Sequence, residues 1–210
     1  MMKLLSRSFP LLLLIASGCA SSRSTFTLSQ VGGNDVFEKT FPQAYASRTP
    51  DGDYQILLID DPTPPAQPAA GQPLKAVTQP PLRQIVHIRT LWRPSRGTKP
   101  DHPSATNGSI DWFVFGTGTL GQEDRVHYEG VGFVTIDADE ESVKVEVRNA
   151  TLKTASRSGA IADPLGKSRL TGTITASRDD RRVRELLAEV RSATAVARTA
   201  AARESVRPGS

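Results

Sequence analysis

Six residues able to grip an anion or a sugar fall between positions 89 and 102: Arg89, Trp92, Arg93, Arg96, Lys99 and His102. Cations beside an indole suit a carboxylate, a phosphate or a saccharide. The cations supply charge-assisted hydrogen bonds and the ring supplies a stacking face. The stretch Arg93 to Gly108, RPSRGTKPDHPSATNG, joins two expected strands. A connection this long without secondary structure of its own is usually functional or disordered, and Pro94, Pro100 and Pro103 argue for a stiff, ordered path. The competing reading is a packed loop whose arginines satisfy backbone carbonyls and carboxylates such as Asp101.

Histidine is the second source of chemistry. The chain has three: His87, His102 and His127. A zinc site built on them needs all three to converge. A hydrolytic or metal-dependent enzyme would use His102, Asp101 and His87 or His127. Neither HExxH nor His-x-His occurs, so isolated histidines are the simpler expectation, and no metal or cofactor is expected. Gly116 to Gly121, GTGTLG, matches the GxGxxG pattern but leads into another strand, not into a helix that could receive a pyrophosphate. It reads as a glycine-rich hairpin loop. The acidic run Asp137 to Glu141 lacks the glycine and the terminal glutamate of a calcium loop, so a solvated turn is expected. No GxSxG elbow is present.

The lone cysteine belongs to a different chemistry. Lys3 and Arg7 precede an apolar run from Leu11 to Ala16, which ends in Ala16-Ser17-Gly18-Cys19. A basic start, a short apolar stretch and small residues are the layout of a secretory signal, too short to span a bilayer permanently. The ending resembles the lipobox of bacterial lipoproteins, with Ala16 where that family usually has leucine. The resemblance covers the signal peptide alone. It implies a diacylglycerol on the Cys19 thiol, cleavage before Cys19 and acylation of the new amine. Two or three acyl chains anchor stably where one does not. Ala20 after the cysteine, in place of aspartate, implies an outer-membrane destination, with the domain facing the periplasm.

These residues have to be positioned by a chain of 210 residues, long enough for one domain with a core of its own. The charge is uneven. Residues 178–210 hold eight basic and five acidic residues, whereas 19–177 hold 16 basic and 17 acidic. The body is therefore almost neutral, which argues against a nucleic-acid partner. Residues 1–18 read as the signal peptide and 19–40 as the lipidated cysteine with a flexible tether, within which Phe26 and Leu28 alternatively start a strand. Residues 41–177 read as a β domain interrupted by a Pro-rich loop at 62–81.

Within that domain, Thr49-Pro50-Asp51-Gly52 predicts a hairpin turn between FPQAYAS and YQILLIDD. Strands are expected at 83–92, 109–115, 127–137, 142–155 and 169–177. SIDWFVF is apolar on both faces, which predicts a central strand covered on two sides. From about 179 to 203, Val183, Leu186, Leu187 and Val190 recur at helical spacing, with Ser177 and Asp180 expected as a capping box. A basic tail completes 178–210.

Six to eight strands followed by one helix predict a mainly β fold, an antiparallel β-sandwich or open barrel with one C-terminal α-helix. The function read from this is a membrane-anchored lipoprotein of the bacterial envelope, a non-enzymatic binding or structural module. Its expected partners are the membrane, through the lipid on Cys19, and an envelope protein or an anionic or saccharide ligand.

Overall fold

A computed structural model of the chain describes residues 24–61, 82–94, 97–99, 102, 105–116, 124–159, 161 and 165–205, with helix side chains described to residue 192. The signal segment, Cys19, the Pro-rich stretch 62–81, Arg96 and Asp101 lie outside the described residues.

Nine strands precede one helix: β1 (Ser24–Gln30), β2 (Val36–Phe41), β3 (Gln43–Arg48), β4 (Tyr54–Asp60), β5 (Arg83–Thr90), β6 (Gly108–Phe115), β7 (Arg125–Ala138), β8 (Ser142–Ser158), β9 (Ser168–Arg178) and α1 (Asp180–Ser205). Strands β3 to β8 are antiparallel neighbours in chain order. Strand β9 closes the ring. One of its edges pairs along β8, and its last residues, Ser177 and Arg178, pair in parallel with Tyr45 and Ala46 of β3. The result is a seven-stranded barrel. The β1–β2 hairpin adds to the free part of the β9 edge, with Thr25 opposite Thr173 and Gln30 opposite Ser168. Of the two expected architectures, the barrel is the one formed.

The pleat sorts the side chains into two cores. Val86, Ile88, Ile110, Trp112, Val114, Val145 and Ile174 point inward, where Trp112 packs edge-on against Phe41 and tilted against Phe26, at 5.4 and 5.9 Å between ring centroids. Leu57, Ile59, Ile85, Phe113 and Phe115 point outward and are covered by Val183, Leu186, Leu187 and Val190 of α1. The two apolar faces of β6 thus have separate covers, as its sequence predicts. Burying a large apolar side chain is worth about 1.5–3 kcal/mol, so the helix face alone is a substantial share of the fold's net stability.

The long strands β7 and β8 bend together. Their pairing shifts register between Val131 and Phe133, and the pairing of β8 with β9 shifts between Val147 and Ala150, where Asn149 adopts φ 51°. Gly132 sits at this bend, and a Cβ there would lie 2.5 Å from the Ala150 Cβ. Only glycine lets the two bulged backbones meet so closely.

Two expectations are corrected. Residues 24–40 form two strands, not a tether, because Phe26 and Leu28 alternate into the barrel core and are fully buried. The helix cap is Asp179, not a Ser177–Asp180 box. Ser177 still belongs to β9, and the Asp179 Oδ1 accepts the Arg182 N–H at 2.8 Å. The hairpin around Thr49 to Gly52 and the remaining strands form as expected, with small changes at their ends. The helix docks through its first half.

Candidate functional site

Strand ends bring the first set of candidates to one mouth of the barrel. There β4 begins with Tyr54, β5 ends with Thr90, β6 begins with Gly108 and β7 runs out through Val134 and Ile136. Between them lies a cleft of about 380 Å³, lined by Tyr54, Trp92, Arg93, Asn107 and Ile136 among others. The connection from β5 to β6 walls it, and Asn107 holds that connection in place. Its side-chain amide donates to the Trp92 carbonyl at 3.1 Å and to the Val134 carbonyl at 2.8 Å. Its Oδ1 accepts the Val134 N–H at 2.7 Å. With 1% of its surface exposed, Asn107 is a buried polar staple between the loop and β7.

The staple fixes the aromatic and cationic lining. The Trp92 indole N–H donates to the Thr106 carbonyl at 3.1 Å, and the ring stays 37% exposed. Arg93 donates to the Gly52 carbonyl at 3.1 Å and lies over the Tyr54 ring at 6.0 Å. Arg178 reaches the Tyr54 hydroxyl from the other side, at 3.4 Å. Thr90 Oγ1 accepts the Tyr54 N–H at 2.8 Å, tying β4 to β5 beneath the ring. The cleft therefore offers one exposed aromatic face, one guanidinium already seated over an aromatic ring, and a floor with its polar groups satisfied.

The structure divides the six residues expected to act together. Trp92 and Arg93 line the cleft. Lys99 and His102 are exposed in the same connection, where Lys99 O accepts the His102 N–H at 3.1 Å. Arg89 leaves the group: it points outward from β5 and donates to the Ser109 Oγ at 3.3 Å.

The second set gathers on the outer face. There β5, β6 and β7 place His87 opposite Asp111 and Asp111 opposite Glu129, with His127 opposite Phe113 in the adjoining row. His127 Nε2 lies 3.0 Å from the Asp111 Oδ1, and His87 Nδ1 stands 4.0 Å from the Oδ2. The His127 ring stacks on Phe113 at 4.3 Å with 5° between planes. One atom each from Asp111, His127 and Glu129 fall within 4.8 Å of one another.

His87 is the most perturbed of these groups. Its side chain is 13% exposed and its Nε2 is buried without a hydrogen-bond partner. Burial lowers its pKa from 6.5 to about 4, against the pull of Asp111, and Arg89 and Arg191 push the same way. The ring is neutral at neutral pH.

Of the enzyme alternative's residues, Asp101 lies outside the described residues, and His102 is placed apart from the other two histidines. His87 and His127 flank Asp111, whereas His102 sits in the connection beyond the last β5–β6 pair, Thr90 with Gly108. The acidic turn is the solvated turn expected. Asp139 accepts the N–H groups of Glu141 and Ser142 at 2.9 and 2.6 Å, and these bonds hold its carboxyl below the ordinary range. GTGTLG lies on a β6–β7 hairpin connection closed by Gly116 N–H donating to the Asp124 carbonyl at 2.9 Å; residues 117–123 lie outside the described residues.

Sequence reading missed Asn107, Asp111 and Glu129. Asn107 carried a signal, an amide just before a strand with glycine behind it. Asp111 and Glu129 carried none, because their meeting depends on cross-strand register. No family model, curated protein or solved structure matches the chain.

Proposed function

We propose that this chain is a lipid-anchored protein of the bacterial envelope whose barrel binds a small anionic or saccharide ligand at its mouth. The cleft between Tyr54, Trp92 and Arg93 carries the reading. An exposed indole next to a guanidinium is the pairing that receives a sugar carrying a carboxylate or phosphate, and its walls are fixed before the ligand arrives. The lipobox-like Ala16-Ser17-Gly18-Cys19 supports the anchor. Among the described residues no helix is long and apolar enough to cross a membrane.

The start of β1 adds a geometric consequence. Only residues 20–23 separate Cys19 from Ser24, a reach of at most about 18 Å from Cys19 to Ser24 when fully extended. Strand β1 runs antiparallel to β9, so its first residue lies toward the end where β9 finishes at Arg178, the end that holds the cleft. A lipid on Cys19 would hold the ligand site close to the bilayer.

The test uses the full chain, with the indole as reporter. Neutral, carboxylated and phosphorylated oligosaccharides are titrated while tryptophan fluorescence is followed. The account expects acidic sugars to change the signal and neutral ones to act more weakly. Trp92→Phe should remove the change, because the remaining Trp112 is fully buried. Arg93→Gln should weaken the acidic sugars more than about tenfold, the scale of a lost charge-assisted hydrogen bond. Equal response to acidic and neutral sugars, no response to either, or Arg93→Gln binding like the parent would overturn the reading.

A further inference from the structure

We propose that Asp111, His127 and Glu129 form a binding site for a divalent transition ion of the zinc class on the outer face of the barrel. The three side chains project from the same face of the paired strands β6 and β7, and one donor atom from each lies within 4.8 Å of the others. An ion at their centre would need each donor to move by less than about an ångström to reach ligand distances near 2.0–2.2 Å. One imidazole and two carboxylates give three protein ligands, the number found where a fourth position stays open to water or substrate.

Three observations separate this from an ordinary hydrogen-bonded pair. The His127 ring is held flat on Phe113 at 4.3 Å, so its Nε2 is aimed before any ion arrives. The Asp111 carboxylate is bracketed by His127 at 3.0 Å and His87 at 4.0 Å, which fixes its plane. Glu129 is exposed, and no described hydrogen bond or ion pair engages it, so the Asp111–His127 bond does not account for its place beside them. All three donors sit on paired strands, a more exact support than a loop.

Binding exchanges one contact for another. The imidazole coordinates through Nε2, and the ion takes the place of the Nε2 contact with the Asp111 carboxylate. Asp111 and Glu129 also line an open depression of about 530 Å³, together with Arg89, Lys153 and Lys167. These cations partly offset the two carboxylates and hold the affinity below that of an all-acidic cage.

The full chain, purified without a histidine tag and stripped with chelator, is titrated with Zn²⁺ by calorimetry. One ion per chain is expected. Glu129→Gln removes an exposed ligand without touching the core and should weaken binding by more than about tenfold, as should His127→Gln. Circular dichroism checks that both variants keep the parent's fold. Asp137→Asn, an exposed carboxylate farther along β7, should bind like the parent. Absence of a binding heat in the parent would overturn the proposal, as would a folded Glu129→Gln that binds Zn²⁺ unchanged. Neither result bears on the cleft at the mouth.

Discussion

The mouth of the barrel and the outer row of β5, β6 and β7 are both polar, and they treat polar groups in opposite ways. At the mouth, Asn107, the Trp92 indole and the Arg93 guanidinium each hydrogen-bond to a backbone group. On the outer row, His87 buries a ring nitrogen with no partner, and Glu129 faces outward beside Asp111 and His127. A saturated region is scaffold: it presents a fixed surface and resists change. An unsaturated region keeps donor and acceptor capacity and responds to protons and ions. The lesson is that substitutions should move stability in opposite directions in the two places.

The largest contrast comes from His87 in acid. Its folded pKa, about 4, lies below the unfolded value of 6.5, so the unfolded chain takes up the proton first as pH falls. The stabilisation is complete above about pH 6.5 and is lost as pH drops through 4, on the order of 3 kcal/mol in all. A neutral replacement, His87→Gln, should therefore lose less stability than the parent on going from pH 7 to pH 5. Urea denaturation of the two in chelator at both pH values measures this. Equal losses in parent and variant would show that the buried ring does not titrate as its environment dictates.

The next effect has the opposite sign. Asn107→Ala leaves the Val134 N–H and the carbonyls of Trp92 and Val134 without their partner, at a cost of about 2 kcal/mol. It should lower the urea midpoint at every pH and speed proteolysis between Trp92 and Thr106. Limited proteolysis with mapping of the cut sites reads the second effect. An unchanged midpoint would mean that water replaces the amide, and the saturated mouth would then be no scaffold.

How much of this was legible in the sequence follows from the range of each interaction. SIDWFVF showed its two-sided burial because a period of two places Trp112 and Phe113 on opposite faces whatever surrounds them. Leu186, Leu187 and Val190 likewise showed which face of α1 would dock. Strand β1 was harder: STFTLSQ holds only two large apolar residues among polar ones, and its burial depends on β9, far along the chain. Ring closure left no local mark, since it rests on two residues of β3 meeting the end of β9. The cleft was half legible. Trp92 and Arg93 stood out by type, but Tyr54 and Ile136 reach it only through the barrel's curvature. Arg89 shows the limit of reading by proximity: three residues from Trp92, it points out of the wall and serves a different surface.

Everything proposed about where the protein works rests on the thiol of Cys19. Intact mass of the protein extracted from membranes of the native bacterium tests this directly. The account predicts a chain that begins at Cys19 and carries a diacylglycerol and an amide-linked acyl chain. A chain that retains its first methionine, or that carries an unmodified Cys19 thiol, would contradict it.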